Sequence, residues 1–123
     1  MKVLESAENY LETIYILGKQ RNGVHAIDIA NALGFSKPSV SIAMKRLREN
    51  GYITIDEFQH ISLTPSGREI AERVYERHDI LHNLLVRLGV SNETASNDAC
   101  RIEHVLSEES FACIRKYMKE NWE

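Results

Sequence analysis

Three side chains with metal-binding chemistry stand at helical spacing near the end of the chain. Cys100, Glu103 and His104 occupy positions i, i+3 and i+4, which places a thiolate, a carboxylate and an imidazole on one helix face. Upstream, His78 and His82 are four residues apart. Two facing helices with these donors would present sulfur, nitrogen and oxygen to a transition metal. The spacing indicates a metal site; the alternative is that Cys100 is a small core residue and each histidine is only hydrogen-bonded.

The two upstream histidines also have the spacing of the zinc ligands on a metalloprotease helix. Those enzymes place Glu directly after the first His as the general base, whereas Asp79 occupies that position here. The chain has no glycine-rich phosphate loop and no Ser/His/Asp order. We therefore expect no enzyme and keep a zinc hydrolase using His78 and His82 as an alternative.

A second group of residues, in the stretch 36–49, could bind DNA. Four Lys and Arg side chains stand there against one Glu, a local charge of +3, and serine hydroxyls lie among them. Such a stretch is typical of a phosphate-facing surface, although a solvated helix face is the alternative. Ile42 would either touch a thymine methyl group or pack into the core. The residues expected to face DNA are Ser36, Lys37, Pro38, Ser39, Ser41, Ile42, Lys45 and Arg46.

Apolar spacing and turn signals predict the elements that must position these residues. In order, they are a helix that Ser6 caps and Gly23 ends, a helix that ends at Gly34, a helix from Ser36 to Asn50, and strands at 52–55 and 60–63. This order is typical of a winged helix-turn-helix, whose third helix fits the major groove of DNA.

The rest of the chain predicts an all-helical lobe that carries the candidate metal ligands. Thr64-Pro65 is a favoured helix start, and Ser91 and Ser107 are expected to cap two further helices. We therefore expect a mainly α protein, with a winged helix-turn-helix domain at 1–67 and an all-α metal-binding and dimerisation domain at 68–123. Candidate dimer contacts, which alternatively close the core of the monomer, are Leu106, Phe111, Ile114 and Met118.

The composition excludes several classes of protein. A chain of 123 residues with 43% hydrophobic and 27% charged side chains is ordinary for a globular protein. Its apolar runs are too short for a membrane span, and its N-terminus lacks a signal-peptide pattern. Two cysteines make a poor disulfide framework, so we expect reduced thiols in the cytoplasm. Residues 1–67 carry seven cations and seven anions, whereas residues 68–123 carry eight and eleven and thus the whole net charge of -3.

Five segments of the chain resemble the metal-dependent repressors of the iron-dependent (diphtheria toxin repressor) and manganese transport regulator type. They are ENYLETIY (8–15), DIA (28–30), SKPSVS (36–41), LTPSG (63–67) and CRIEH (100–104), of which the last is the most specific. The resemblance covers nearly the whole chain, which in length is closer to the manganese type. It implies a dimeric winged-helix repressor in which Fe(II) or Mn(II) switches on the binding of operator DNA.

The resemblance also implies a set of metal ligands. Cys100, Glu103 and His104 match ligands of the iron type, whereas the manganese type has a carboxylate in the place of Cys100. Asn9 stands where the family has Met or Asp, and His82 stands where the iron type has a carboxylate. The implied ligands are Asn9, Glu12, His78, Cys100, Glu103 and His104.

This mixture of donors bears on the choice of metal. Thiolate and imidazole favour Fe(II), whereas Mn(II) prefers oxygen ligands, so we expect Fe(II), with Mn(II) as the alternative. His78 matches a ligand of both family types, whereas Glu12, which matches a ligand of the manganese type, and Asn9 keep Mn(II) open. Zn(II), Co(II) and Ni(II) are expected to bind in vitro.

The expected partners are double-stranded operator DNA and a second copy of the chain. We expect neither a membrane nor a small-molecule substrate other than the metal ion. The alternative to a metal-activated repressor is a metal-independent winged-helix regulator that senses oxidation through Cys100 or Cys113.

Overall fold

Residues 5–122 are described by a computed structural model, and they form six helices and one two-stranded sheet. The order is α1 (Glu5–Gln20), α2 (Ala26–Leu33), α3 (Lys37–Glu49), β1 (Ile53–Ile55), β2 (Ile61–Leu63), α4 (Pro65–Arg87), α5 (Asn92–Val105) and α6 (Glu108–Trp122). This confirms the expected fold class, a mainly α chain that starts with a winged helix-turn-helix. Within the described residues the backbone divides into two units, one that ends at Glu72 and one that begins at Arg73.

The helix starts follow local sequence signals, with one exception. The prediction that Ser6 caps α1 is wrong, because Glu5 is already helical. Glu5 and Glu8 favour helix there, since carboxylates in the first turn interact well with the positive end of the helix dipole. The other predicted caps are confirmed, because each hydroxyl accepts a hydrogen bond from the backbone N–H three residues on: Ser36, Ser91 and Ser107.

A tight turn connects α2 to α3. Gly34 has φ 72°, a left-handed conformation that glycine adopts without strain, and its N–H donates to the Ala30 carbonyl at 2.8 Å. Ser36 then caps α3, and Pro38 lies in the first turn, where its missing N–H costs no helical hydrogen bond. The turn brings the two helices of the helix-turn-helix within three residues of each other in sequence.

The core of the N-terminal unit determines which face of α3 remains exposed. Val40, Met44 and Leu47 form a buried stripe on α3, and they pack in one apolar cluster with side chains such as Leu11 and Ile29. Because this stripe occupies one side of the helix, the side chains on the opposite face are exposed.

The hairpin that follows α3 is a short wing. Ile53–Ile55 pairs antiparallel with Ile61–Leu63, and Ile53 and Ile61 are buried on the core side. Each strand starts one residue later than predicted. The Thr64 hydroxyl donates to the Gly51 carbonyl at 2.6 Å and accepts from the Gly67 N–H at 3.2 Å, which fastens the base of the wing to α4.

The C-terminal unit contains α4 from Arg73 onward, together with α5 and α6. Its most buried apolar side chains come from all three helices and include Val74, Ala99 and Phe111. Two charged side chains, Arg77 and Glu103, are buried as well. None of the helices between residues 5 and 122 is long and apolar enough to cross a lipid bilayer.

Candidate metal centre and DNA-facing surface

Donor atoms from α4 and α5 converge in the C-terminal unit. The Nδ1 atom of His78 on α4 lies 3.0 Å from Oε2 of Glu103 and 3.6 Å from Sγ of Cys100, both on α5. Donor atoms of all three side chains lie within 4.8 Å of one another. The helical spacing brings Cys100 and Glu103 to the same face of α5, and that face meets His78.

The environment of Glu103 differs from that of the other two donors. Glu103 is 2% exposed, whereas His78 is half-buried and Cys100 is exposed. A buried carboxylate is costly unless positive or hydrogen-bonding groups surround it. The cluster is therefore closed around the carboxylate and open to solvent at the thiol.

One oxygen of Glu103 is not satisfied by the protein. Among residues 5–122, Oε1 of Glu103 accepts no hydrogen bond, although Nε2 of His104 lies 3.3 Å away. The two atoms are close, but their geometry is not that of a hydrogen bond. A bound cation is one partner that satisfies a buried acceptor of this kind.

These distances fit a divalent transition metal. Ligands about 2.0–2.3 Å from one ion lie about 3–4 Å from each other, and His78 Nδ1 lies at such distances from Glu103 Oε2 and from Cys100 Sγ. The unsatisfied Glu103 oxygen and the mixture of sulfur, nitrogen and oxygen also agree with a metal ligand set. These residues therefore have the chemistry and the spacing of a metal centre.

The remaining metal candidates take different positions. His104 directly follows Glu103, and its buried side chain lies beside Oε1. The His82 ring is stacked on the His78 ring, with 6.2 Å between centroids and 9° between planes. Asn9 and Glu12 lie one turn apart on α1, in the N-terminal unit, so their role as ligands stays a prediction.

The residues predicted to bind DNA are all exposed, and we call them the DNA-facing surface. They are Ser36, Lys37, Pro38, Ser39, Ser41, Ile42, Lys45 and Arg46. The alternative that Ile42 packs into the core is wrong, because the side chain is 57% exposed. Ser36 has a local role in addition, since its hydroxyl caps α3 and donates to Ser39 Oγ at 2.9 Å.

Two polar residues near this surface were not among those expected to face DNA, although Arg48 is one of the four cations of the stretch 36–49. Arg48 and Gln59 line a groove of about 210 Å³ between α3 and the wing, together with Ser41 and Lys45. Arg48 could have been found from its position three residues after Lys45, on the same helix face. Gln59 carries no such signal, because its position depends on the wing turn, where it adopts φ 64°.

The wing turn is organised by an acidic side chain. Oδ1 of Asp56 accepts the backbone N–H of Phe58 at 2.8 Å and of His60 at 2.9 Å. The His60 N–H, with help from the Phe58 N–H and the His60 ring, holds the pKa of Asp56 below its ordinary value of 3.8. The carboxylate thus orders the turn and is unsuited to contact a DNA phosphate.

The candidate dimer contacts differ in burial. Phe111 and Met118 are 4% and 9% exposed within the C-terminal unit itself, whereas Leu106 and Ile114 are half-buried. Their role in a dimer stays a prediction. More exposed apolar side chains of the same unit, which the sequence analysis did not select, are Leu88, Val105 and Tyr117.

Comparison with known protein families matches two consecutive segments of the chain. Residues 2–61 match the family described as iron dependent repressor, N-terminal DNA binding domain. Residues 64–121 match iron dependent repressor, metal binding and dimerisation domain. The chain is also 34% identical over 119 residues to the HTH-type transcriptional regulator MntR of Lysinibacillus sphaericus, which covers 94% of this chain and 86% of the relative.

Two solved structures are similar in sequence and fold. The crystal structure of T. acidophilum IdeR has a TM-score of 0.82 at 28% identity, covering 97% of this chain and 55% of the other. A manganese-dependent transcriptional repressor in complex with manganese has a TM-score of 0.83 at 28% identity, covering 92% of this chain and 52% of the other. The present chain thus spans about half the length of these two solved chains.

The Asp56 turn predicts a local acid transition in the wing. The folded-state pKa of Asp56 lies below the ordinary value of 3.8. The ionised carboxylate therefore stabilises the turn fully at pH values above 3.8, and this contribution is lost as the pH falls through the lowered pKa. Following the Phe58 and His60 amide chemical shifts by NMR should show a transition below pH 3.8. In the Asp56→Asn variant the same amides should show no transition below pH 3.8. A wild-type midpoint at or above pH 3.8 would contradict the lowered pKa of Asp56.

Proposed function

Because the chain belongs to the iron-dependent repressor family of metal-dependent transcriptional regulators, we propose that it is a repressor that a divalent metal activates to bind operator DNA. The observation that carries this proposal is the convergence of donor atoms of His78, Cys100 and Glu103, together with the unsatisfied second oxygen, Oε1, of the buried Glu103 carboxylate. A bound cation would supply the positive charge that this oxygen lacks.

We assign the metal as Fe(II). The reason is Cys100, because a thiolate beside an imidazole is a softer donor set than Mn(II) prefers. Mn(II) is the second candidate: the similar solved repressor contains manganese, and Glu103 supplies a hard oxygen donor. Zn(II), Co(II) and Ni(II) would also bind in vitro, since affinity alone does not select the physiological metal.

The full ligand set in this proposal has six members. His104 joins the three converging side chains because its ring lies beside the unsatisfied Glu103 oxygen. Asn9 and Glu12 are assigned from the resemblance in sequence, which is their only support. The proposed ligands are Asn9, Glu12, His78, Cys100, Glu103 and His104.

The DNA-facing surface is the proposed contact with the operator. Its exposed α3 residues combine positive charge for phosphates with small polar and apolar groups for base edges, such as Ser39 and the Ile42 side chain. In this assignment residues 1–67 bind DNA, and residues 68–123 bind metal and pair with a second copy through Leu106, Phe111, Ile114 and Met118. A dimer would contact two half-sites, and we assign its place of action to the cytoplasm, where thiols stay reduced.

The exposure of Cys100 supports one competing function. A solvent-accessible thiol 3.6 Å from the His78 ring is open to oxidation, so the chain could respond to oxidants without any metal. The two functions differ in their response to a chelator, which abolishes the first and leaves the second unchanged.

The metal switch predicts a difference in DNA affinity. Metal and DNA sites of such regulators are coupled by about 1–3 kcal/mol, which is roughly a 5–150-fold change in affinity. The measurement is an anaerobic titration of a duplex selected from random DNA by binding to the Fe(II)-loaded protein. Fe(II) should tighten binding and a chelator should reverse the effect; equal affinities would contradict the proposal, and a response to peroxide alone would favour redox sensing.

The thiolate predicts an asymmetry between metals. Cys100→Ala removes the soft donor, so the Fe(II)-induced gain in DNA affinity should fall more than the Mn(II)-induced gain. The control is Cys113→Ala, which removes an exposed thiol on α6 outside the cluster and should leave both gains unchanged. A larger loss with Mn(II) than with Fe(II) would overturn the assignment of Fe(II).

The DNA-facing surface predicts a change in salt dependence. Lys45→Ala should weaken binding to all sequences and reduce the slope of log K against log salt by about 1, because one phosphate contact is lost. The matched control is Lys116→Ala, an exposed lysine on α6, which should keep the wild-type slope. If the slopes of the two variants are the same, Lys45 does not contact phosphate.

A further inference from the structure

Arg77 directly precedes His78 on α4, and its side chain is buried in the C-terminal unit, with the residue 7% exposed. Its Nη1 atom donates to the backbone carbonyl of Glu103 at 3.1 Å and to that of Leu106 at 2.7 Å. Its Nη2 atom donates to the Glu108 carboxylate at 2.9 Å. One guanidinium group therefore joins α4, the last turn of α5, the connection to α6 and the first residue of α6.

The position of these bonds matters because the end of a helix has unsatisfied carbonyl groups. Arg77 donates to the carbonyl of Glu103, in the last turn of α5, and to the carbonyl of Leu106, the residue that caps the end of this helix. The guanidinium lies 5.0 Å from the centre of the Phe111 ring, which adds a favourable cation–π contact. Since a buried cation is costly without partners, the arrangement is stable only while α5 stays in place.

The bonds of Arg77 connect both sides of the metal cluster. On α4, the next residue is His78, whose Nδ1 atom lies 3.0 Å from Oε2 of Glu103. On α5, the carbonyl that Arg77 binds belongs to Glu103 itself. Arg77 is therefore connected to both donors. It is the backbone neighbour of His78 on α4, and its side chain is hydrogen-bonded to the backbone of Glu103 on α5, so it fixes the separation between His78 and Glu103.

We propose that Arg77 is a positioning residue of the metal centre, which holds Glu103 at the distance from His78 that a shared cation requires. The proposal rests on the proposed metal-dependent function. Arg77 touches no metal; it acts by fixing the ligands before the metal arrives, so that less ordering accompanies binding. Loss of such supporting bonds typically weakens metal affinity by about 10–100-fold.

Arg115 offers a matched control. It also connects α6 to α4, because its Nη1 atom donates to Glu76 at 3.0 Å, and it lies 5.7 Å from the same Phe111 ring. Within residues 5–122, Arg115 makes no hydrogen bond to α5. A variant at this position therefore disturbs the α4–α6 connection and leaves the support of Glu103 intact.

The experiment titrates the full chain with Co(II) under anaerobic, reducing conditions. A thiolate bound to cobalt gives a charge-transfer absorption band, and the visible spectrum reports the geometry of the ligands. Arg77→Met should weaken Co(II) affinity by about 10-fold or more and change the visible spectrum. Arg77→Lys keeps the charge but cannot bridge all three acceptors, so its Co(II) affinity should lie between those of Arg77→Met and the wild type. Arg115→Met should have the affinity and the spectrum of the wild type.

Thermal unfolding of each metal-free variant distinguishes a loss of ligand positioning from a general loss of stability of the fold. If Arg77→Met keeps the wild-type Co(II) affinity and spectrum, the proposal is overturned. It is also overturned if Arg115→Met loses as much Co(II) affinity as Arg77→Met. If Arg77→Met does not fold, Arg77→Lys decides: wild-type affinity and spectrum in that variant overturn the proposal, and weaker affinity supports it. A wild-type chain that binds no Co(II) would instead contradict the proposed metal-dependent function.

Discussion

The burial of the Glu103 carboxylate is the constraint on which the C-terminal unit depends. A buried negative charge without compensation destabilises a fold by several kcal/mol, so the positions of neighbouring groups are not independent of it. His78 supplies one partner for Oε2, and Arg77 binds the backbone of the same residue. One oxygen still lacks a donor within the described residues. A metal that binds there would therefore stabilise the C-terminal unit, because ligand binding to the folded state stabilises that state. This effect would be additional to the proposed activation of DNA binding.

The N-terminal unit is organised by a different principle, which is the division of α3 into a buried stripe and an exposed face. Val40, Met44 and Leu47 occupy the core, and the side chains on the opposite face of the helix are exposed to solvent. This explains why Ile42 is exposed although it is apolar. If α3 binds DNA as proposed, an exposed apolar side chain there can contact thymine, which presents a methyl group in the major groove.

Local features of both units were predictable from the sequence, whereas features that depend on distant contacts were not. The Ser36 cap and the Gly34 turn involve residues within a few positions of each other, so spacing alone identified them. The shared face of Cys100 and Glu103 follows from helix geometry in the same way. Arg77 could not be found by such reasoning, because its partners lie 26 to 31 residues away. For Ile42 the helical period favours the face opposite Val40 and Met44, but its apolar side chain left the core as an alternative until the fold showed it to be exposed.

The unequal exposure of the converging donors connects metal selectivity to chemical vulnerability. Glu103, the hard donor, is buried, and Cys100, the soft donor, faces solvent. A thiolate favours Fe(II) in such a site, yet an accessible thiolate is also the donor that oxidants attack first. Oxidation of Cys100 would remove the one sulfur donor of this cluster, and in the proposed site it would weaken the binding of the cation that satisfies the buried carboxylate. In the proposed assignment, the same residue thus links a preference for iron to a requirement for reducing surroundings.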